Sequence, residues 1–79
     1  MNNDFHLSEH HMFNMLGKDI LLNVKTMIFY DITPLISDIV KILEAGVTDP
    51  IRALKKKYPK SEIMNSLQYM EKEGFLIKS

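Results

Sequence analysis

Apolar residues along the chain follow one rhythm up to about Ile32 and another from Leu35 onward. The first is an alternation with polar positions, as in strands, and the second recurs at helical spacing. Strands are predicted over His11–Leu16, Asp19–Val24 and Met27–Ile32. Gly17-Lys18 supplies a tight turn between the first pair, since glycine accepts the positive φ of a hairpin, and Lys25-Thr26 supplies the next. In the middle strand Ile20, Leu22 and Val24 alternate with Asp19, Leu21 and Asn23, so one face should be wetter. The last strand is rich in β-branched and aromatic residues.

Thr33-Pro34 then opens a helix, with a hydroxyl cap and a proline at the first helical position. Leu35, Ile36, Ile39, Val40 and Leu43 form its apolar stripe, and Gly46 closes it in the left-handed conformation. Asp49-Pro50 repeats the start signal for a short second helix with Ile51, Leu54 and Tyr58 inward, stopped at Tyr58-Pro59. Ser61 is the expected cap of a third helix, with Ile63, Met64, Leu67 and Met70 on one side and Gly74 at its end. Phe75-Leu76-Ile77 would add a closing strand or pack down as a tail. Residues 1–8 are polar and aperiodic and read as a flexible tail, leaving one domain over residues 9–79. The expected fold is α+β in the order β-β-β-α-α-α, a three-stranded antiparallel sheet followed by three helices, winged-helix-turn-helix-like.

Such a sheet, covered on one face by helices, keeps a free edge that can template an incoming peptide strand. Nothing along the chain looks like a reaction centre. The pattern therefore points to a peptide-binding module and away from a catalyst.

Composition narrows the choice. A chain of 79 residues with 46% hydrophobic and 25% charged residues is one ordinary globular domain. Its formal net charge of zero gives no general pull toward nucleic acid or a membrane surface. With no cysteine, disulfides, thiolate zinc sites and cysteine-held iron–sulfur clusters are excluded within these residues. The start, with Asp4 and Glu9 and no long apolar run, is not a secretory signal, and runs such as Met27-Ile28-Phe29-Tyr30 cannot span a bilayer. A cytoplasmic location is the expectation.

Several features invite chemistry. His6, His10 and His11 do not make a metal site by spacing, because adjacent strand residues face opposite ways and His6 falls in the expected tail. Asp31 and Asp38 lack an accompanying nucleophile and are not a catalytic pair. Arg52, Lys55, Lys56, Lys57 and Lys60 form the strong charge asymmetry, which mainly solvates a helix face and secondarily could attract acidic peptide residues. Met12, Met15 and Met70 read as core filler. Met27 and Met64 are the adaptable residues expected in a groove. Of Phe29 and Tyr30, at least one should be core.

His11-Met12-Phe13, Gly17-Lys18-Asp19-Ile20-Leu21-Leu22-Asn23-Val24, Asp38-Ile39 and Glu71-Lys72-Glu73-Gly74-Phe75-Leu76 occur in a characteristic order. In this the chain resembles the PqqD-like precursor-peptide recognition element of bacterial radical-SAM peptide maturases, including the thioether-forming, SCIFF-type enzymes. The resemblance spans His11 to Ile77. It departs where Lys25-Thr26-Met27 replaces an Asn-Ser-Gly-like turn, which leaves the turn type and the start of the third strand open.

The resemblance implies a non-catalytic domain on which a precursor's leader segment adds as an extra strand, in a groove against the third helix. Backbone of Met27, Ile28, Phe29, Tyr30 and Asp31 would carry the ladder, with Met64, Leu67, Gln68 and Glu71 as the helix flank. The opposite flank, Ser66, Tyr69 and Glu73, fits the spacing as well, and Arg52, Lys55 and Lys56 would add secondary electrostatics. Cofactors are expected only in an associated catalytic domain, in cis or in trans, which would hold iron–sulfur clusters and S-adenosylmethionine. An edge-strand homodimer is a further partner possibility, and membrane and nucleic acid are not expected partners. The alternative reading is a winged-helix DNA-binding regulator, with Asn65, Ser66 and Gln68 available to read bases but Glu62, Glu71 and Glu73 opposing phosphate.

Overall fold

The computed structural model describes residues 4–78, and Met1 to Asn3 of the expected tail, like Ser79, lie outside the described residues. The elements are β1 (Phe5–Leu7), β2 (His10–Met15), β3 (Lys18–Asn23), β4 (Ile28–Asp31), α1 (Pro34–Glu44), α2 (Pro50–Leu54), α3 (Lys60–Lys72) and β5 (Leu76–Lys78). The α+β class, the three-stranded antiparallel sheet β2-β3-β4 and the three helices agree with the sequence. The element order is longer than expected, because a strand precedes that sheet and another follows the helices.

Those two additions pair with each other. β1 and β5 form a separate antiparallel ribbon, with Phe5 opposite Lys78 and Leu7 opposite Leu76. Residues 5–7 are therefore not a flexible tail. Phe5 is buried, its amide donates to the Thr48 carbonyl at 2.9 Å, and Ser8 Oγ donates to the Gly74 carbonyl at 2.6 Å. A strand of three residues has no readable period, and its partner lies at the far end of the chain.

The turn between β2 and β3 is carried by Leu16 (φ 55°) and Gly17 (φ 81°), so β2 ends at Met15 and Lys18 already belongs to β3. Two central residues at positive φ make this a two-residue hairpin whose twist matches the strands it joins. The second turn is held by a side chain. Asn23 is buried, and its Oδ1 accepts from the amides of Lys25 at 3.0 Å and Thr26 at 3.4 Å. Met27 takes φ 60°, the role a glycine would fill, and its amide donates to the Asn23 carbonyl at 2.7 Å. Met27 therefore belongs to the turn, and the edge strand begins at Ile28.

Helix starts follow the sequence at α1 and α2: Thr33 Oγ1 accepts from Ile36 N, and Asp49 Oδ1 from Arg52 N, each at 3.2 Å. Gly46 (φ 96°) ends the first as expected. The second stops at Leu54, before Tyr58, whose hydroxyl instead donates to Asp38 Oδ2 at 2.7 Å. The third starts before Ser61. Pro59 occupies the cap position, its carbonyl accepts from Ile63 N at 3.1 Å, and no side chain caps the helix.

The core sits between the inner face of the sheet and the helices. Leu21, Ile39, Val40, Ile63 and Met70 are fully buried, with Leu67, Phe75 and Leu76 beside them. Met64, expected on the same side of α3, is exposed. In β3 the inward set is Asp19, Leu21 and Asn23, the more polar of the two alternating sets. Asp19 Oδ2 accepts from Ser37 Oγ at 2.8 Å, and Asn23 Nδ2 donates to the Glu73 carbonyl at 3.2 Å. Partners on the helices let these polar groups face inward at little cost. Ile20 and Leu22 are thereby turned to the outer face, where they are half-buried.

Candidate functional site: the open edge of β4 and the flank of α3

β4 lies at one edge of its sheet, and no strand among the described residues pairs on its far side. Its hydrogen-bond register follows from one contact. The Ile32 amide donates to the Asp19 carbonyl at 3.3 Å, in line with the pairings Tyr30–Leu21 and Ile28–Asn23. Bonded residues alternate along an antiparallel ladder. Ile28 and Tyr30 therefore face β3 with their backbone groups, and Phe29 and Asp31 turn theirs to the open edge. The ladder expected over Met27–Asp31 reduces to these outward residues, because Met27 is held in the turn.

Side chains alternate in the same register. Tyr30 points inward, where its ring meets Phe75 edge-on at 4.7 Å between centroids and its hydroxyl donates to Glu73 Oε1 at 3.0 Å. Burial, reinforced by that carboxylate, raises the Tyr30 pKa above the ordinary phenol value. Phe29 points outward, 59% exposed, with its ring edge-on to Phe13 at 6.0 Å. Ile28 shares the inner side with Tyr30 yet stays half exposed at the strand's start, and Asp31 is exposed at its end.

The bond between Tyr30 and Glu73 decides which flank of α3 adjoins this edge. Ser66, Tyr69 and Glu73 lie three, then four residues apart and share one side of a helix. Met64, Gln68 and Glu71 lie on the other side, across the buried stripe of Ile63, Leu67 and Met70. The expected flank is thus corrected: Glu73 binds Tyr30 of β4, Ser66 and Tyr69 share its side of α3, and Met64, Gln68 and Glu71 are exposed on the other side. Leu67, only 4% exposed, is a core residue and lines no groove.

A hollow of about 390 Å³ lies where α1 begins, bordered by Thr33, Pro34, Leu35, Tyr58, Glu62, Asn65 and Ser66. Arg52, Lys55 and Lys56 are exposed on α2 and the turn after it, and they are not among the residues bordering that hollow. Lys57 and Tyr58 both bind Asp38 Oδ2, at 3.0 and 2.7 Å. These bonds, Tyr58's first, hold the Asp38 carboxyl below its usual range. The Asp38 cluster fastens α1 to the segment before α3.

His10 is engaged structurally. Its Nδ1 donates to the Ser8 carbonyl, and its Nε2 meets Glu44 Oε2, both at 2.8 Å. His6 and His11 are exposed. Among the described residues no group of three or more His, Cys, Asp or Glu could hold a metal ion, and no helix is long and apolar enough to cross a membrane.

Sequence reasoning missed Asn23, which joins β3, the turn and the end of α3. It also missed the apolar outer face made by Phe13, Ile20, Leu22 and Phe29. The strict alternation of β3 was the signal for the second, but it did not say which set faces out. Compared with family models, curated proteins and solved structures, the chain matches none.

Proposed function

We propose that this chain is a non-catalytic peptide-binding domain that takes an extended leader segment as a fourth strand on β4. The observation that carries this reading is the open edge itself. Outward backbone groups of Phe29 and Asp31 lie on the strand whose Tyr30 hydroxyl binds Glu73 at the end of α3. Main-chain bonds there would give affinity to many sequences, and pockets for alternate side chains would give selectivity. With a three-stranded antiparallel sheet and three helices, the reading extends to the precursor-recognition role implied by the family resemblance. The domain would hold the leader of a ribosomally made peptide and raise the local concentration of its core at a radical-SAM catalytic domain.

The DNA-binding alternative has less to recommend it. The exposed positions of α3 include Glu62 and Glu71 beside Lys60 and Lys72, a balance that gives phosphate no net attraction.

The test is a two-dimensional NMR titration with the leader of a precursor encoded beside this chain. Amide shifts concentrated on Phe29, Asp31, Tyr69 and Glu73 are expected. Silence with the leader, together with salt-sensitive shifts over residues 55–68 on adding duplex DNA, would overturn the proposal in favour of a DNA-binding domain.

A further inference from the structure

On the outer face of the sheet, Phe13, Met15, Ile20 and Phe29 line an open hollow of about 320 Å³ together with Asp31. Its walls are apolar and its one charge is a carboxylate. Asp31 has no hydrogen-bond or ion-pair partner among the described residues. Its neighbours are otherwise engaged: Asp19 binds Ser37 and Asn14, and Asp38 binds Tyr58 and Lys57. Asp31 is the carboxylate left over, and it sits on the edge strand.

The register links this hollow to the edge. Phe29 and Asp31 are the residues whose backbone groups face outward, and their side chains lie on the outer face. A residue that pairs with either one directs its own side chain to that same face, about 5 Å away. A long side chain at that position would lie over the Phe29 ring and reach Asp31.

We infer that the hollow is a specificity pocket for an arginine or lysine side chain of the strand that pairs with β4. The inference rests on the strand-addition reading and adds the chemistry of the strand. An aliphatic stem suits Met15 and Ile20, as long basic side chains cover apolar surface while keeping their head in water. The exposed Phe29 ring is available for a cation–π contact, and Asp31 supplies the opposite charge. Arginine fits better than lysine, because its planar head can stack on the ring and bind the carboxylate together. An acidic side chain there would meet Asp31 in an apolar setting and be rejected.

The experiment uses random dodecapeptides displayed on phage, selected separately on the full chain and on its Asp31→Lys variant. Asp31 is exposed and unpaired, so neither this substitution nor Asp31→Asn should disturb folding. Wild-type selection should enrich peptides with a basic residue at one fixed position. Their synthetic copies should shift the Phe29 and Asp31 amides and bind Asp31→Asn about fivefold more weakly. Selection on Asp31→Lys should replace that basic residue by Asp or Glu. Peptides that shift the β4 amides yet show no basic preference, and no reversal with Asp31→Lys, would overturn the pocket and leave strand addition standing. Selected peptides that leave the β4 amides unmoved, or no enrichment at all, would overturn both.

Discussion

Among the described residues the sheet has two open edges, β2 and β4, and they differ in which side chains accompany the free backbone. On β2 the Val24 amide bonds to the Glu9 carbonyl at 3.3 Å, so odd-numbered residues face β3 and His10, Met12 and Asn14 turn their backbone outward. The side chains of those residues are all occupied: His10 on Glu44, Met12 against the core and Asn14 on Asp19. On β4 the outward residues are Phe29 and Asp31, whose side chains are exposed. Both edges offer the same backbone chemistry. Only β4 offers it beside a carboxylate, Asp31, that has no hydrogen-bond or ion-pair partner among the described residues.

The largest expected effect concerns what supports the β4 edge. Leu67 lies in the core under the α3 flank, so Leu67→Ala should cost roughly 2–5 kcal/mol by urea denaturation. A cost near zero would return Leu67 to the surface and with it the flank first expected. Next comes the turn that sets where β4 begins. Asn23→Ala strands the Lys25 and Thr26 amides and the Glu73 carbonyl, and should cost about 1–3 kcal/mol in the same assay.

The comparison of edges is tested directly with proline. Phe29→Pro removes an outward donor without touching the bonds to β3, as proline is tolerated on the free side of an edge strand. Peptides that bind β4 should weaken by more than about tenfold, while stability falls only by the roughly 0.5–1.5 kcal/mol of the lost Phe29–Phe13 ring contact. Asn14→Pro does the same to the β2 edge and should leave peptide affinity unchanged. Equal losses at both edges would erase the difference between β2 and β4.

Two smaller effects concern the hairpin that joins β2 to β3. Leu16 is 98% exposed at φ 55°, a conformation that asparagine tolerates better, so Leu16→Asn should stabilise by roughly 0.5–1 kcal/mol. The Asp19 carboxyl is held below its usual value chiefly by the Ser37 hydroxyl, and then by Asn14. A folded pKa below the unfolded one gives stability that is present above about pH 4 and lost as pH falls through the folded value. Urea midpoints taken at about pH 6 and about pH 3 should therefore diverge less in Ser37→Ala than in the parent chain.

Much of the fold was legible locally. Thr33-Pro34, Asp49-Pro50, Gly46 and Gly74 carry their meaning in their own chemistry, since caps and left-handed residues are short-range requirements. The β2-β3-β4 order followed from alternation and turn residues. The ends of elements were less legible: Pro59 in place of Ser61 at the start of α3, Leu16 in the first turn and Met27 in the second. There, neighbouring bonds outweighed residue preference.

Of the candidate site, the sequence determined that an edge strand rich in Ile28, Phe29 and Tyr30 would exist and that a helix would lie near it. It could not determine the side of α3 that borders the strand, because both flanks have the same spacing and only the bond from Tyr30 to Glu73 distinguishes them. Nor could it orient β3. Alternation separates two sets of side chains without assigning either to the core. Asp19 and Asn23 face inward because Ser37 and the Glu73 carbonyl, distant in sequence, satisfy them there. That choice sends Ile20 and Leu22 outward, and tertiary structure alone made it.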